Sequence, residues 1–477
     1  MFRKAQRMHL VGIGGSGMSG IAEVLVNLGY PVSGSDLAIN TATRRLKKLG
    51  ATVHKGHFAN HVKDADVVVI SSAVKEDNPE VIEARRLQIP VIPRAEMLAE
   101  LMRLKYAVAI AGAHGKTTTT AMVAEVMTRG KLDPTVVIGG RFGKLRSGAK
   151  VGGGEMMVAE ADESDGSFLK MKPTIAVVTN IDREHLDHYT GIEAIRDAFA
   201  AFLARVPFYG AAIVCTDDEN VREILPRIDR KIISYGENDE ADIRASGIEV
   251  DGFRTTYTAF AFGRELGEVT LQLPGRHSVA NSLAALAVGL EFDIPFRTIA
   301  AALKAFRGVD RRLQVRGEAC GATVIDDYGH HPTEIRATLE AIRGAFDGKL
   351  IVAFQPHRYS RTEALFQEFA GSFGLADVVL VTDIYPAGER AVPGVDGSTV
   401  AHAIRRNGHP DVRYEADKKK IPERLRELIE PDSIVLTLGA GDIWRAGDVL
   451  IKQGGCRTGR RAGLARLDRA KLAGVSR

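Results

Sequence analysis

The stretch VAIAGAHGKTTTT, residues 108–120, joins an apolar run to a glycine turn and then to a helix-like segment. A phosphate-binding loop usually reads G-x-x-x-x-G-K-[ST], which would place its first glycine at residue 110. Ile110 stands there instead, and Gly112 follows two residues later. Lys116 and Thr117 nevertheless retain the residue types that reach phosphates and Mg²⁺. The stretch therefore predicts a nucleotide site with a shortened front half, at the end of a parallel strand.

The alternation of strand, glycine turn and helix continues in both directions from this stretch. HLVGI followed by GGSGMSGIAEVLVNLGY gives an earlier unit, and TIAVVTNID and KLIVAFQPH are typical of later strands. Such a βαβ series predicts an α/β fold built on parallel sheets. Residues 242–273 alternate between polar and apolar side chains, which predicts a small antiparallel patch.

The length of 477 residues exceeds what one hydrophobic core usually serves. We predict a first domain over 1–104, a central domain over 105–312 and a third domain over 313–453. Residues 454–477 form a separate basic tail, with seven Lys or Arg residues and one Asp. The net charge of +4 therefore comes from the tail, and the rest of the chain has a charge of −2.

Composition excludes several classes of protein. No apolar stretch approaches the roughly 18 residues that cross a bilayer, and no apolar region follows the charged N-terminus as in a secretory signal. The three cysteines stand far apart without a C-x-x-C pair, which is typical of neither a disulfide framework nor a zinc site. We expect a cytoplasmic protein without a membrane or nucleic-acid partner, present as a monomer or weak dimer.

A second glycine turn lies near the N-terminus. Residues 12–17, GIGGSG, fit G-x-G-x-x-G between a strand and a helix, and Asp36 follows 24 residues after Gly12. In this context the turn binds a pyrophosphate through backbone N–H groups, and the acid binds a ribose. The motif does not distinguish NAD from a UDP-sugar, since both carry a diphosphate.

Acidic and histidine residues follow the next two strands of the central domain. MMVAEADESD is an apolar strand that ends in acids, the form of a metal site beside a phosphate loop, with Glu160 as its first acid. NIDREHLDHY follows the next strand and contains His185. A hydroxyl, a carboxylate and an imidazole beside phosphates predict one or two Mg²⁺ ions, although imidazole is an unusual Mg²⁺ ligand.

The third domain carries DDYGHHPTE, residues 326–334, and QPHRYSRT, residues 355–362, each after a predicted strand. Arg358 and Arg361 bracket a turn and are suited to a bidentate grip on a carboxylate. VDRRL places Arg312 at the junction of the second and third domains. The residues together predict an ATP- and Mg²⁺-dependent enzyme with a diphosphate site and a site for a small anion.

GAHGKTTTT, EADESD, NIDREHLDHY, FRGVDRRL, DDYGHHPTE and QPHRYSRT together resemble the Mur ligases of peptidoglycan synthesis. The resemblance runs from about His9 to Trp444. It implies three domains: a Rossmann-like N-terminal domain, a central P-loop-type ATPase domain and a Rossmann-like C-terminal domain. Within the family the pattern is similar to the branch that adds L-alanine to UDP-N-acetylmuramate through an acyl phosphate. ATP is the implied cofactor with Mg²⁺, for which Mn²⁺ is expected to substitute.

The resemblance also implies roles for individual residues. The implied catalytic residues are Lys116, Glu160 and His185, and the implied metal ligands are Thr117, Glu160 and His185. The implied ATP-binding residues are Gly112, Ala113, His114, Gly115, Lys116, Thr117, Thr118, His277, Asn281, Arg312 and Asp327. The implied UDP-sugar residues are Gly14, Gly15, Ser16, Gly17, Met18, Asp36, His57, Ser71 and Ser72. The implied amino-acid pocket consists of Tyr328, His330, Arg358 and Arg361.

One position departs from the family pattern. The family usually shows H-N-x-x-N at the start of a helix, whereas this chain reads His277-Ser278-Val279-Ala280-Asn281. Serine can cap a helix, but it lacks the paired donor and acceptor that an amide offers to a base edge. We therefore expect His277 and Asn281, and not Ser278, to contact the nucleotide.

Three alternatives stay open at this stage. A nicotinamide-dependent oxidoreductase would use the N-terminal glycine turn but would leave Lys116 and Thr117 without a role. A recycling ligase of the same fold would add a preformed peptide, although two arginines suit a small amino acid better. A nucleic-acid-binding protein would act through the tail, and full activity after deletion of residues 455–477 would exclude it.

Overall fold

The computed structural model describes residues 7–71, 73–139, 149–186 and 188–454. Its strands form three sheets, one in each predicted domain. The first sheet has the strand order β3-β2-β1-β4-β5 and is parallel throughout. Its strands are β1 Met8–Val11, β2 Val32–Asp36, β3 Thr52–Lys55, β4 Val67–Ile70 and β5 Val91–Pro93. Its helices are α1 Ser16–Asn27, α2 Thr41–Lys48, α3 Pro79–Arg86 and α4 Arg94–Met102.

The central sheet has the strand order β15-β14-β13-β12-β11-β10-β6-β9-β7-β8. The strands are β6 Tyr106–Ala111, β7 Thr135–Val137, β8 Ala149–Lys150, β9 Met156–Glu160, β10 Ile175–Val178, β11 Ala211–Cys215, β12 Ile232–Gly236, β13 Ile243–Asp251, β14 Arg254–Ala261 and β15 Arg264–Leu271. The helices are α5 Lys116–Arg129, α6 Ile192–Leu203, α7 Glu219–Ile224, α8 Arg276–Glu291 and α9 Phe296–Ala305. Strands β13 to β15 pair antiparallel, which confirms the patch predicted over 242–273.

The third sheet has the strand order β16-β17-β21-β18-β19-β20, with only the β16–β17 pair antiparallel among its described strands. The strands are β16 Gln314–Ala319, β17 Ala322–Asp327, β18 Leu350–Phe354, β19 Val378–Val381, β20 Val412–Tyr414 and β21 Ile434–Leu438. The helices are α10 Pro332–Ala345, α11 Tyr359–Ala364, α12 Phe366–Ala370, α13 Gly397–Arg406, α14 Ile421–Leu428 and α15 Trp444–Gln453. The sheets lie inside the predicted domains, whose boundaries themselves stay predictions.

Strand β6 is buried on both faces, as the apolar run at 106–111 predicts for a strand of a parallel sheet. Val108 and Ile110 pack into the core beneath α5 and α8. Ala107, Ala109 and Ala111 face the opposite core, which includes residues of α6. The strand is therefore fixed from both sides, and the turn that follows it starts from a rigid position.

Strand order decides where ligands can bind. In the central sheet β6 lies between β9 and β10: the chain continues from β6 to β7 beyond β9, and later crosses from β9 to β10 on the other side of β6. In the first sheet the same reversal occurs between β1 and β4. Open parallel sheets bind ligands at the carboxyl ends of strands beside such a reversal. Both glycine turns predicted from the sequence lie at these points.

Two further findings concern the cysteines and the length of the apolar helices. The cysteine pattern is not typical of a disulfide framework, but Cys320 is disulfide-bonded. Cys215 is a buried free thiol, and burial raises its pKa to about 12. Within the described ranges no helix has the length and apolar character needed to cross a membrane.

Candidate active site

The turn after β6 explains the unusual spacing of the phosphate loop. Gly112 has φ +135° and Gly115 has φ +82°, conformations that side-chain-bearing residues rarely adopt. A Cβ atom on Gly112 would collide with Thr179 Oγ1, and one on Gly115 would come within 2.6 Å of Asn281 Oδ1. Gly115 caps α5, so the backbone N–H groups of the first helical turn face the space beyond the strand. The shortened loop is therefore a tight turn with the geometry of an anion site.

Lys116 lies at the centre of this turn. Its ammonium Nζ donates hydrogen bonds to the carbonyl of Gly112 at 2.5 Å and to Glu163 Oε1 at 2.7 Å. Burial disfavours the charged amine, but the combined negative charges of Glu163, Glu184 and Asp162 outweigh burial and raise the pKa of Lys116 above its ordinary value. The ammonium therefore stays charged at neutral pH, as phosphate binding requires.

Glu163 is a residue that the sequence analysis quoted within EADESD but did not assign. It is 2% exposed, and its Oε2 atom has no hydrogen-bond partner among the described residues. Burial raises the pKa of Glu163 to about 7, although Lys116 opposes the shift. A buried carboxylate oxygen without a partner is costly, so this atom is suited to a cation or a ligand proton.

The structure brings the predicted metal ligands into two adjacent groups. Thr117 Oγ1 donates a hydrogen bond to Glu160 Oε1 at 2.8 Å. His185 lies instead beside Glu163 and Glu184, and ligand atoms of these three residues all lie within 4.8 Å of one another. Burial lowers the pKa of His185, which keeps its imidazole neutral and able to ligate. Hydroxyl and carboxylate oxygens fit Mg²⁺, and the orphaned oxygen of Glu163 supports a cation at this place.

A cavity of about 840 Å³ joins residues of all three domains. Its N-terminal wall contains Gly15, Gly17, Met18, Ser71 and Arg94. Its central wall contains Ala113, Gly115, Lys116, Thr117, Glu160, Glu184 and His185. Its C-terminal wall contains Arg312, Tyr328, His330 and Arg361. The three predicted sites therefore open into one space.

An adjoining cavity of about 430 Å³ lies between α5, α8 and α10. The predicted nucleotide residues on its wall are His114, Gly115, Thr117, Thr118, His277, Asn281, Arg312 and Asp327. Burial lowers the pKa of His277 to about 4 and raises that of Asp327 to about 6. Ser278 also lines this cavity, but its hydroxyl donates to the carbonyl of Pro274 at 2.8 Å. The serine therefore serves the start of its helix.

Buried polar contacts connect the phosphate loop to the third domain. His114 Nε2 lies 2.9 Å from Asp182 Oδ2, and His114 Nδ1 lies 3.6 Å from Glu334 Oε1. Burial disfavours the imidazolium, but the hydrogen bond to Asp182 and the nearby negative charge of Glu334 raise the pKa of His114 to about 10. Thr333 Oγ1 donates to the same Asp182 oxygen at 2.7 Å. The charged His114 therefore bridges the central domain and helix α10.

Helix α10 begins with a capping box that fixes these contacts. The His331 side chain accepts the N–H of Thr333, and the Glu334 side chain accepts the N–H of His331. Pro332 occupies the first turn, where its missing N–H costs nothing. The H-P-T-E portion of DDYGHHPTE therefore begins helix α10. It also places Glu334 Oε1 at 3.1 Å from Arg312 Nη1.

Two of the four predicted amino-acid residues, His330 and Arg361, lie beside Glu184. Arg361 Nη2 lies 3.1 Å from Glu184 Oε1, and His330 Nε2 lies 3.8 Å from the same oxygen. Arg358 is separate from the large cavity and lines a neighbouring one of about 250 Å³ together with His185 and Arg361. The two arginines therefore both line this smaller cavity, and only Arg361 also lines the large one. Tyr328 lies below Arg311 and Arg312, whose guanidinium carbons are 4.9 and 5.2 Å from its ring centroid.

The N-terminal site is only partly assembled as predicted. Gly14 N donates to Asp36 Oδ2 at 2.9 Å, so Asp36 supports the glycine turn and does not line the large cavity. His57 Nδ1 lies 2.8 Å from Ser35 Oγ and 3.1 Å from Glu80 Oε2, and His57 does not line the large cavity. Ser72 and the side chain of Ser16 lie outside the described residues. Arg94, which the sequence analysis did not identify, packs over Gly17 at the cavity wall.

A central phosphate turn between two Rossmann-like sheets, with acids, arginines and histidines around one shared cavity, defines a nucleotide-dependent ligase. Sequence family models agree. The Mur ligase family catalytic domain matches residues 7–106, the Mur ligase middle domain matches 110–289, and the Mur ligase glutamate ligase domain matches 311–441. The chain belongs to the Mur ligase family, which confirms the resemblance and the three-domain α/β fold.

Individual relatives indicate which branch of the Mur ligase family the chain is similar to. The chain is 56% identical over 453 residues to the UDP-N-acetylmuramate–L-alanine ligase of Geobacter sulfurreducens, covering 94% of this chain and 98% of the relative. It is 54% identical over 450 residues to the enzyme of the same name from Myxococcus xanthus, covering 94% and 95%. The crystal structure of the UDP-N-acetylmuramate–alanine ligase of Thermotoga maritima has a TM-score of 0.78 at 29% identity, covering 94% and 98%. The chain is therefore an ATP-dependent amide-bond-forming ligase.

Proposed function

We propose that this chain joins L-alanine to the carboxylate of UDP-N-acetylmuramate while ATP is cleaved to ADP and phosphate. The observation that carries the proposal is the single cavity, in which a glycine turn, a phosphate loop and an arginine-containing wall face one another. A reaction between three substrates requires one shared cavity, because the reacting atoms must approach within roughly 3–3.5 Å of one another. The names of the relatives support the identity of the substrates.

The chemistry follows from the charges around the phosphate loop. The muramoyl carboxylate attacks the γ-phosphorus of ATP, which gives an acyl phosphate and ADP. The alanine amine then attacks the acyl carbon, and phosphate leaves as the amide forms. Lys116 neutralises the transferring phosphoryl group, and Glu163 keeps that lysine charged and in place at 2.7 Å. Catalysis then consists mainly of positioning and charge neutralisation.

Magnesium is the expected cation, and Mn²⁺ is expected to substitute. Thr117 and Glu160 would hold one ion, and His185 with Glu163 would hold a second. A bound divalent cation supplies charge neutralisation of the phosphate oxygens. Thr117 Oγ1 lies 2.8 Å from Glu160 Oε1, so these two oxygens are close enough to bind one ion.

The two ends of the cavity bind the other substrates. Gly15, Gly17 and Met18 would hold the diphosphate of UDP-N-acetylmuramate at the N-terminus of α1. Arg361, Tyr328 and His330 would form the alanine pocket at the C-terminal wall, and Arg358 would reach the same alanine carboxylate from the neighbouring cavity of about 250 Å³. We propose that the enzyme acts in the cytoplasm on these small molecules as a monomer or weak dimer, without a nucleic-acid or membrane partner.

Phosphate release measured with single omissions tests the proposal. We expect phosphate release only with ATP, Mg²⁺, UDP-N-acetylmuramate and L-alanine together, with one new amide for each phosphate. A parallel reaction replaces L-alanine with a preformed peptide that begins with L-alanine, the substrate type of a recycling ligase. Faster turnover with the peptide would replace the proposal by the recycling activity, and steady release without any amine would contradict both.

A further inference from the structure

A second cluster of metal-ligating side chains lies where the central domain meets the third domain. It consists of His114 in the turn between β6 and α5, Asp182 after β10 and His331 directly before α10. One ligand atom from each of these three residues lies within 4.8 Å of the other two. The cluster is separate from the predicted Mg²⁺ ligands, with which it shares no residue.

The separations between these ligand atoms match those around one small ion. His114 Nε2 lies 2.9 Å and His331 Nδ1 lies 3.4 Å from Asp182 Oδ2. Zinc binds imidazole nitrogen and carboxylate oxygen at about 2.0–2.2 Å in a tetrahedron, which places neighbouring ligand atoms about 3.3 Å apart. Two imidazoles and a carboxylate are a ligand set that zinc takes, whereas Mg²⁺ prefers oxygen ligands alone.

The surroundings of the two imidazoles also suit a bound cation. His114 Nδ1 lies 3.6 Å from Glu334 Oε1, a carboxylate placed beside the nitrogen that would not bind the ion. Glu334 and Glu184 place negative charge near His114, which favours a dication as it favours the imidazolium. Thr333 N donates to His331 Nδ1 at 3.3 Å, so this nitrogen carries the lone pair that an ion would use. The other nitrogen, Nε2, is buried without a hydrogen-bond partner among the described residues.

We propose that His114, Asp182 and His331 form a binding site for a transition-metal ion of the zinc type, which ties the phosphate loop to helix α10 and inhibits turnover. The ion takes the place of the proton between His114 Nε2 and Asp182, so each ion bound releases one proton. His114 and Asp182 line the nucleotide cavity, from which a water molecule can complete the tetrahedron. An ion held by residues of both domains fixes their separation and slows nucleotide exchange in the cavity between them.

Titration with Co²⁺ tests the site without any substrate, so the result does not depend on the proposed function. Co²⁺ takes the same nitrogen and oxygen ligands as zinc, and tetrahedral coordination gives it a strong visible absorption. Excess Mg²⁺ is present to occupy the sites made of oxygen ligands. We expect the full chain to bind one tetrahedral Co²⁺. Because the pKa of His114 is about 10 without the ion, binding should tighten about tenfold for each pH unit between about pH 6 and 8.

Variants locate the ion. H331Q and D182N each remove one ligand from a different element, and each should weaken Co²⁺ binding by at least about 10–100-fold, the loss that removal of an outer-shell partner alone causes. H402Q is the matched control, because His402 is an exposed histidine of the same domain on α13. H185Q should also keep the tetrahedral spectrum, since His185 belongs to the other cluster.

Inhibition of phosphate release by Zn²⁺ measures the consequence for turnover. The wild type and H402Q should be inhibited alike, and H331Q should need at least about tenfold more Zn²⁺ for the same fractional inhibition. An octahedral Co²⁺ spectrum in the wild type, unchanged affinity in H331Q and D182N, or loss of the spectrum in H185Q would each overturn the site. Tetrahedral Co²⁺ without inhibition by Zn²⁺ would overturn its inhibitory role. A tetrahedral spectrum in a protein that forms no amide from L-alanine would leave the site standing while the proposed function fails.

Discussion

At the scale of single residues, the pair of Lys116 and Glu163 sets the electrostatics of the site. The 2.7 Å ion pair is largely buried, with 16% of the Lys116 side chain and 3% of the Glu163 side chain exposed, so the two charges compensate each other. Removing one partner of a buried pair leaves an uncompensated charge, which destabilises the fold as well as the activity. Experiments at this position must therefore separate stability from catalysis.

Replacing Lys116 by alanine should lower turnover by at least about 10²–10³-fold, because the transferring phosphoryl group loses its neutralising charge. K116A should also lower the melting temperature, since Glu163 stays buried without its partner. The double variant K116A/E163Q should recover much of that stability and none of the activity. Phosphate release and thermal unfolding measure the two effects. K170A is the control, because Lys170 pairs with Glu96 at the surface.

Near wild-type turnover in K116A would contradict the assignment of the phosphate loop. Loss of activity in K170A to the same extent would show that the effect is not specific to the site.

Replacing Arg358 by alanine should raise the KM for L-alanine about tenfold or more and change the KM for ATP by less than about twofold. A charged hydrogen bond to a carboxylate is worth about 1.5–3 kcal/mol, which corresponds to this loss. Initial-rate kinetics with each substrate varied in turn measure both constants. R413A is the control, because Arg413 pairs with Asp411 on the surface. Equal increases in both constants would assign Arg358 to domain closure and not to the amino acid.

At the scale of elements, the turn between β6 and α5 decides the geometry of the phosphate loop. A positive φ at two glycines and the contact of Gly112 with Thr179 leave no space for a side chain. The sequence predicted the strand, the turn and the helix because apolar periodicity and glycine punctuation are local signals. It also predicted the strands β9 and β10, whose carboxyl ends carry Glu160 and the segment with His185.

Replacing Gly112 by alanine should abolish ATP binding and destabilise the protein, because the new Cβ atom meets Thr179 and the backbone is strained at φ +135°. G344A is the matched control. A Cβ atom at Gly344, in the exposed part of α10, would meet nothing within 4 Å. That substitution should stabilise the protein by roughly 0.5–1 kcal/mol and leave ATP binding intact. Nucleotide titration and chemical unfolding measure both variants, and unchanged ATP affinity in G112A would show that the turn is not the phosphate site.

At the scale of the whole molecule, ion pairs and hydrogen bonds cross from the central domain to the third domain. Thr333 Oγ1 donates a hydrogen bond to Asp182 Oδ2 at 2.7 Å, and Arg361 Nη2 lies 3.1 Å from Glu184 Oε1. His114 adds a charge that lies between a carboxylate of each domain. These contacts place the arginine wall opposite the phosphate loop, so the relative position of the domains is part of the active site.

The charge of His114 predicts a pH dependence of stability. Its pKa of about 10 in the folded protein exceeds the ordinary value of about 6.5. A raised pKa stabilises the fold fully below about pH 6.5, and this stabilisation is lost as pH rises towards 10. The difference in melting temperature between the wild type and H114Q should therefore be largest near pH 6 and shrink up to pH 9.5. A constant difference over that range would show that His114 is neutral.

The sequence by itself determined the α/β fold, the two glycine turns, the residue types of the phosphate loop and, through the combination of motifs, the family. Each of these signals lies within a short segment, where periodicity and glycine content reflect local backbone requirements. Only the tertiary structure decided which charged and polar side chains of the site contact one another. Glu163 is bonded to Lys116, 47 residues away, and the contacts of Asp182 and Glu184 with the third domain span 151 and 177 residues. Folding through three sheets brings these side chains together, and no local pattern records which of many acids and arginines will meet.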